Sequence, residues 1–199
     1  YVILDLHHEE WLDLKVERSA QIEAEFVTVW EQIAVRFRDY DERLLFESMN
    51  EPRLRDSEVE WTSGTEELRE LVNRLNAAFV ETVRATDGGN RTRYLLICPY
   101  AGNHETEAME GLLVPDDRRL IVSIHMYTPY SFCQKEDGDV DWDTEETRER
   151  VAQAFSEMKD LFVKNGIPVM LTEFGCVDKG NLQAVSYTHL RAHETKANL

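Results

Sequence analysis

Apolar positions along the chain fall into two alternating patterns. Short, nearly continuous apolar runs open YVILDL (1–6) and LLFESMNEPR (44–53) and recur in YLLIC (94–98), LIVSIHMY (120–127) and IPVMLTEF (167–174). Their Val, Ile and Leu content suits strands covered on both faces of a parallel sheet. Between most of them, spacings of three and four residues mark helices. Ile22, Phe26, Val29, Trp30, Ile33 and Phe37 make one stripe, with Trp30 in the core; Leu68, Leu71, Val72, Leu75, Phe79 and Val83 make a second. Val151, Phe155, Met158 and Phe162 make a third, with Asp143 and Glu146 placed as a capping box before it and Gly166 and Pro168 as its stop.

Alternating strands and helices imply right-handed βαβ units, in either an open doubly wound sheet or a closed (β/α)8 barrel. No GxGxxG follows a strand and no Walker loop is present, which weakens the nucleotide-binding open sheets. The polar residues favour the barrel: His7, His8, Asn50, Glu51, His125, Tyr127 and Glu173 all fall at C-terminal strand ends, the face where barrel enzymes collect their chemistry. Glu47 lies inside its strand run, so it is expected to be a buried carboxylate paired with a cation, structural rather than reactive.

The length, 199 residues, allows one sizeable domain, and 42% hydrophobic residues are enough for a packed core. With 22 basic and 39 acidic residues the formal charge is −17, which argues against nucleic acid and anionic membranes and for a neutral ligand. No apolar run approaches the roughly 18 residues of a membrane span, and the opening YVILDLHHEE reads as mid-domain sequence without a signal peptide. Cys98, Cys133 and Cys176 lack CxxC spacing and support neither a zinc site nor a full disulfide framework; they read as free thiols. From residue 185 the alternation stops. VSYTHLRAHET resembles a translated sequencing adaptor, so residues 1–184 are taken as the domain and 185–199 as a tail, and His189 and His193 receive no role.

Glu51 and Glu173 are far apart in sequence but share one rim. Two carboxylates about 5 Å apart suit retaining glycoside hydrolysis, in which one keeps its proton for the leaving oxygen and the other, ionised, attacks the anomeric carbon; a wider gap admits water and inverts. The ordered motifs LDLHHE, FESMNEPR, SIHMYTPY and LTEFG resemble the third, fourth, sixth and seventh strand ends of family 5 glycoside hydrolases, the cellulase-like (β/α)8 enzymes. The resemblance implies Glu51 as acid/base, Glu173 as nucleophile, Asn50 on the sugar 2-hydroxyl, and His7, His8 and His125 lining the subsite of the attacked sugar. Tyr127 would donate to the nucleophile.

That family also supplies two earlier strand units, bringing an arginine beneath the nucleophile, and a later one carrying a tryptophan platform. About five of its eight strands have counterparts here, so a fragment of an incomplete barrel is expected, with two unpaired sheet edges. The resemblance implies a monomeric enzyme without a cofactor, acting on β-1,4-glucan or a related polysaccharide, and therefore outside the cell or on its surface. Two other readings stay open. One is a carbohydrate-binding barrel without turnover. The other is a metal-dependent barrel lyase or isomerase, for which His7, His8, His125, Glu47, Glu51 and Glu173 would be candidate ligands although HExxH spacing and an acidic ladder are missing. Among the loop aromatics Trp61, Tyr100, Tyr130, Phe132 and Trp142, Tyr100 and Trp142 are the foremost candidates for stacking on sugar rings.

Overall fold

The computed structural model describes residues 1–180, so the expected tail from residue 185 lies outside the described residues. Five strands, β1 (Val2–Leu4), β2 (Leu44–Glu47), β3 (Leu95–Ile97), β4 (Leu120–Met126) and β5 (Val169–Phe174), pair in sequence order and all in parallel. Each falls within one of the apolar runs. Helices α1 (Ser19–Phe37), α2 (Glu66–Ala85), α3 (Thr106–Glu110), α4 (Tyr130–Cys133) and α5 (Glu145–Leu161) occupy the connections.

The two faces of the sheet are covered differently. Leu44, Phe46, Leu95, Ile97, Leu120, Val122 and Ile124 pack against the stripes of α1, α2 and α5 in one large core. Leu45, Leu96 and Ile121, with Met170 against them, form a separate small layer on the opposite face. Strand residues alternate faces, so the two sets are interleaved along the same strands. A doubly wound sheet has helices on both sides. Here the three long helices lie on one side only, as in a barrel wall, and β1 and β5 leave open edges among the described residues.

Helix termini follow local chemistry. Thr65 caps α2 by accepting the Leu68 amide, and Thr144 caps α5 by accepting the Thr147 amide. The sequence pattern had pointed to Asp143 for the second cap; its carboxylate instead accepts Arg148 Nη1 at 2.6 Å. A threonine one residue later offers the same side-chain acceptor. Among the described residues no helix is long and apolar enough to cross a membrane.

Arg93, just before β3, joins two βα units through a buried guanidinium. It donates to the carbonyls of Phe37 and Tyr40 at 3.0 and 2.9 Å, to those of Asp41 and Leu44, and to Asn90 Oδ1 at 2.8 Å, and it lies over the Phe46 ring at 4.8 Å. Removal from water pushes its pKa down, and the carbonyl partners replace the lost hydration. Arg93→Met strands those acceptors. It should lower unfolding free energy by about 3 kcal/mol or more, measured by urea denaturation; a loss below about 1 kcal/mol would mean that the guanidinium is dispensable.

Candidate active site

The rim above the inner layer is built by departures from regular strand geometry. On β5, Val169 and Leu171 pack toward the helices, and strict alternation would send Glu173 after them. The pairing with β4 instead runs Ser123 to Met170, Ile124 to Leu171 and then His125 to Glu173, with a bulge that leaves Thr172 as the extra residue. A bulge of this kind re-aims the side chain that follows it. Thr172 hydrogen-bonds Ser123 on the inner face, and Glu173 turns to the same side as His125.

Glu51 is aimed by a different irregularity. Its φ is +42°, in the left-handed region that side-chain-bearing residues rarely occupy. Neighbours on both sides hold that conformation: the Asn50 amide donates to Leu6 O at 2.8 Å, and Pro52 O accepts the Ala101 amide at 2.8 Å. Arg53 Nη1 donates to the carbonyl of Glu51 at 2.9 Å and lies 3.5 Å from its Oε2, while Arg53 Nε donates to Glu60 Oε1 at 3.1 Å.

These two carboxylates meet at one imidazole. His125 Nδ1 is 2.9 Å from Glu51 Oε1 and 3.5 Å from Glu173 Oε2, and one donor atom from each of the three side chains lies within 4.8 Å of the other two. On a flat sheet, β2 and β5 would be roughly 14 Å apart, three strand spacings. Inward curvature of the sheet brings the acids together. Tyr127 Oη donates to Glu173 Oε2 at 3.0 Å. Burial, reinforced by the Glu173 carboxylate, pushes the Tyr127 phenol up to about 12, so it remains a donor at any neutral pH.

The other expected residues occupy distinct places. Asn50 is buried at the rim between strand and acid. His7 donates Nδ1–H to Asp5 Oδ2 at 2.7 Å, and this bond raises its pKa above the ordinary 6.5, with partial burial opposing and the charges of Glu173 and Glu51 adding to the rise. His8 packs at a tilt against His7, ring centroids 4.6 Å apart, and donates to the His7 carbonyl at 3.0 Å, out in solvent. Glu47 is buried as expected, but its partner is the Ser123 hydroxyl rather than a lysine or arginine among the described residues. Burial raises its pKa, which lessens the need for a cation.

The aromatics sort differently from expectation. Tyr100 is buried, accepting Leu54 N at 3.0 Å and donating to Val59 O at 3.1 Å, so it anchors the loop between β2 and α2. Trp142 is buried against Phe132 and Cys133, with its indole N–H on Thr128 O at 3.1 Å. Trp61 and Tyr130 are the accessible ones, 58% and 63% exposed, and the Arg53 guanidinium lies 4.0 Å above the Trp61 ring.

Comparison with known proteins gives the family. The family model Cellulase (glycosyl hydrolase family 5) matches residues 1–197. The chain belongs to glycosyl hydrolase family 5. Among curated members it is 45% identical over 185 residues to Endoglucanase 1 of Ruminococcus albus, covering 92% of this chain and 45% of that protein. It is 40% identical over 186 residues to Cellulase/esterase CelE of Acetivibrio thermocellus, covering 92% and 23%. Among solved structures, the GH5-4 broad specificity endoglucanase from Clostridium acetobutylicum superposes with a TM-score of 0.90 at 38% identity, over 94% of this chain and 58% of that one. XEG5A, a family 5 xyloglucan-specific endo-β-1,4-glucanase from a metagenomic library crystallised with cellotriose, gives 0.88 at 38%, over 92% and 55%.

This family 5 chain thus spans about half the length of such relatives, and its five parallel strands form part of their (β/α)8 barrel. Two site features of this family 5 domain escaped sequence reasoning. Arg53 stands in the quoted FESMNEPR motif, but its contact with Glu51 depends on the backbone turn there. Gly102 has φ +61°, and a Cβ built on it would lie 3.2 Å from His125 Cγ and 3.4 Å from Nδ1, so a side chain there would crowd the imidazole on a backbone that favours glycine.

Glu51, His125 and Glu173 could also offer three ligand atoms to a metal ion. Hydrogen bonding accounts for the same arrangement: two carboxylates facing one ring nitrogen favour the tautomer protonated on Nδ1.

Gly102→Ala should displace the His125 ring and lower stability by about 1 kcal/mol. NMR of the histidine side chains checks this, and unchanged His125 resonances would show that the contact yields freely. His7 should titrate above 6.5, and Asp5→Asn should bring it back down. Because the folded value is the raised one, the stabilisation from the His7–Asp5 contact is fully present below the ordinary histidine pKa and fades as pH rises through the folded value; a pH titration followed by NMR in both forms reads it.

Proposed function

We propose that the protein containing this chain is a retaining, endo-acting glycoside hydrolase of β-1,4-linked glucans or related plant polysaccharides. The observation that carries this reading is the approach of Glu51, His125 and Glu173 to within 4.8 Å of one another. Separations near 5 Å are those of retaining enzymes, with no room for water between the nucleophile and the anomeric carbon. In the proposed double displacement, ionised Glu173 attacks the anomeric carbon while Glu51 gives its proton to the departing glycosidic oxygen, leaving a glycosyl–enzyme ester. Glu51 then takes a proton from water as that water hydrolyses the ester.

The neighbouring groups fit these steps. Tyr127 steadies the Glu173 carboxylate before attack and keeps its proton throughout. His125 touches both acids and holds their mutual orientation. Asn50 faces the 2-hydroxyl in this reading, a contact that strengthens toward the oxocarbenium-like transition state. Relatives named endoglucanases, and a xyloglucan-specific neighbour crystallised with cellotriose, support a β-glucan substrate. A polymer of that size places the enzyme outside the cell or on its surface, working as a monomer.

The test uses the chain completed with the strand units its relatives carry, assayed on carboxymethyl-cellulose, xyloglucan and mannan. Glu173→Ala should reduce kcat by at least about a thousandfold, and Glu51→Ala by about 10²–10⁴-fold. NMR of the first product should show the anomeric configuration retained. An inverted product would overturn the double displacement, glycan binding without turnover would favour a binding module, and loss of activity on chelation would favour the metal-dependent alternative.

A further inference from the structure

We propose that Cys133 and Cys176 are a disulfide-forming pair, joining the C-terminal end of α4 to the segment that follows β5. Three observations carry this. The Cys133 carbonyl accepts the Val177 amide at 2.9 Å, so the Cys133 and Cys176 backbones flank one peptide hydrogen bond. That single bond holds the two backbones side by side, the proximity a disulfide requires. Both side chains enter one apolar cluster with Phe132 and Trp142. The two segments are also tied beside the pair: Lys179 Nζ donates to Ser131 O at 3.1 Å and Asp139 O at 2.7 Å and lies 5.4 Å over the Phe132 ring.

Cys98 does not compete in the folded chain. It is buried in the main core and donates its thiol to Met49 O at 3.3 Å. Cys133 is buried and Cys176 partly accessible, which fixes the order of events with a small-molecule disulfide such as glutathione disulfide as oxidant. The Cys176 thiolate attacks one sulfur of the oxidant, forming a mixed disulfide and expelling one glutathione thiolate. The Cys133 thiolate then attacks the Cys176 sulfur and expels the second. The protein loses two protons and two electrons, and one glutathione disulfide takes them up to become two glutathione thiols. Tyr127, the donor to Glu173, packs on the same cluster, so the bond would brace the wall beside that carboxylate.

The experiment exposes the reduced, folded chain to glutathione disulfide, quenches with an alkylating agent, and maps peptides by mass spectrometry with and without reduction. A Cys133–Cys176 crosslink should dominate, the thiols titrated after denaturation should fall from three to one, and the melting temperature should rise by several degrees. Cys133→Ser and Cys176→Ser should each abolish the crosslink and the thermal shift, whereas Cys98→Ser should leave both intact. Separate glutathione adducts on Cys133 and Cys176 without ring closure would overturn the proposal. So would a product dominated by Cys98–Cys133, the shorter loop that chain entropy favours in an unfolded polypeptide.

Discussion

The extra residue at Thr172 is the constraint on which the site depends. Parallel strands deliver side chains to fixed faces with a period of two, and β5 spends that regularity on packing Val169 and Leu171 against helices. One inserted residue shifts the phase at the moment the strand reaches the rim, so Glu173 faces the imidazole on β4 rather than the helical layer. Glu51 meets the same difficulty at the end of β2 and meets it with a left-handed backbone. Both carboxylates are therefore held by conformations that regular secondary structure does not supply. Such positions persist only where surroundings over-determine them, and here Arg53, Ala101 and Leu6 do so through main-chain hydrogen bonds.

Beneath the rim, the molecule separates stability from chemistry by face. The helix-covered side carries the large apolar core and the buried Arg93 staple between successive units. The inner side carries a thin apolar floor of Leu45, Leu96 and Ile121, then a polar tier of Glu47, Ser123 and Thr172, and above it the carboxylates. Burial grades into reactivity along each strand, which is why a single side-chain position near the top can be polar at little cost while one near the bottom cannot.

How much of this was legible follows from what periodicity can encode. The five strands, the three long helices and the gathering of His125, Tyr127, Glu51 and Glu173 on one rim could be read because apolar spacing reports which face is buried and strand ends report where chains emerge. The bulge could not be read: Thr172 looks like any strand residue, and parity alone would have sent Glu173 outward. Tyr100 and Trp142 were misread as stacking platforms because an aromatic in a loop gives no sign of whether its polar atom will find a backbone partner, as both do. Glu47 showed the converse, a carboxylate whose burial was evident and whose partner was a hydroxyl on a strand 76 residues away. The value of Arg93 lay in main-chain carbonyls of one distant stretch, Phe37 to Leu44, which leave no mark on sequence.

The convergence of the two acids has a further meaning. They stand on strands separated by two others, so the gap between them gauges how tightly the wall bends and is the property of no single residue. Substitutions in the inner floor, distant from any sugar, would reach the chemistry by flattening or tightening that arc. Under the double-displacement reading, the stereochemical outcome of the reaction is thus written in the shape of the sheet, and loops that choose among polysaccharides are free to vary without disturbing it.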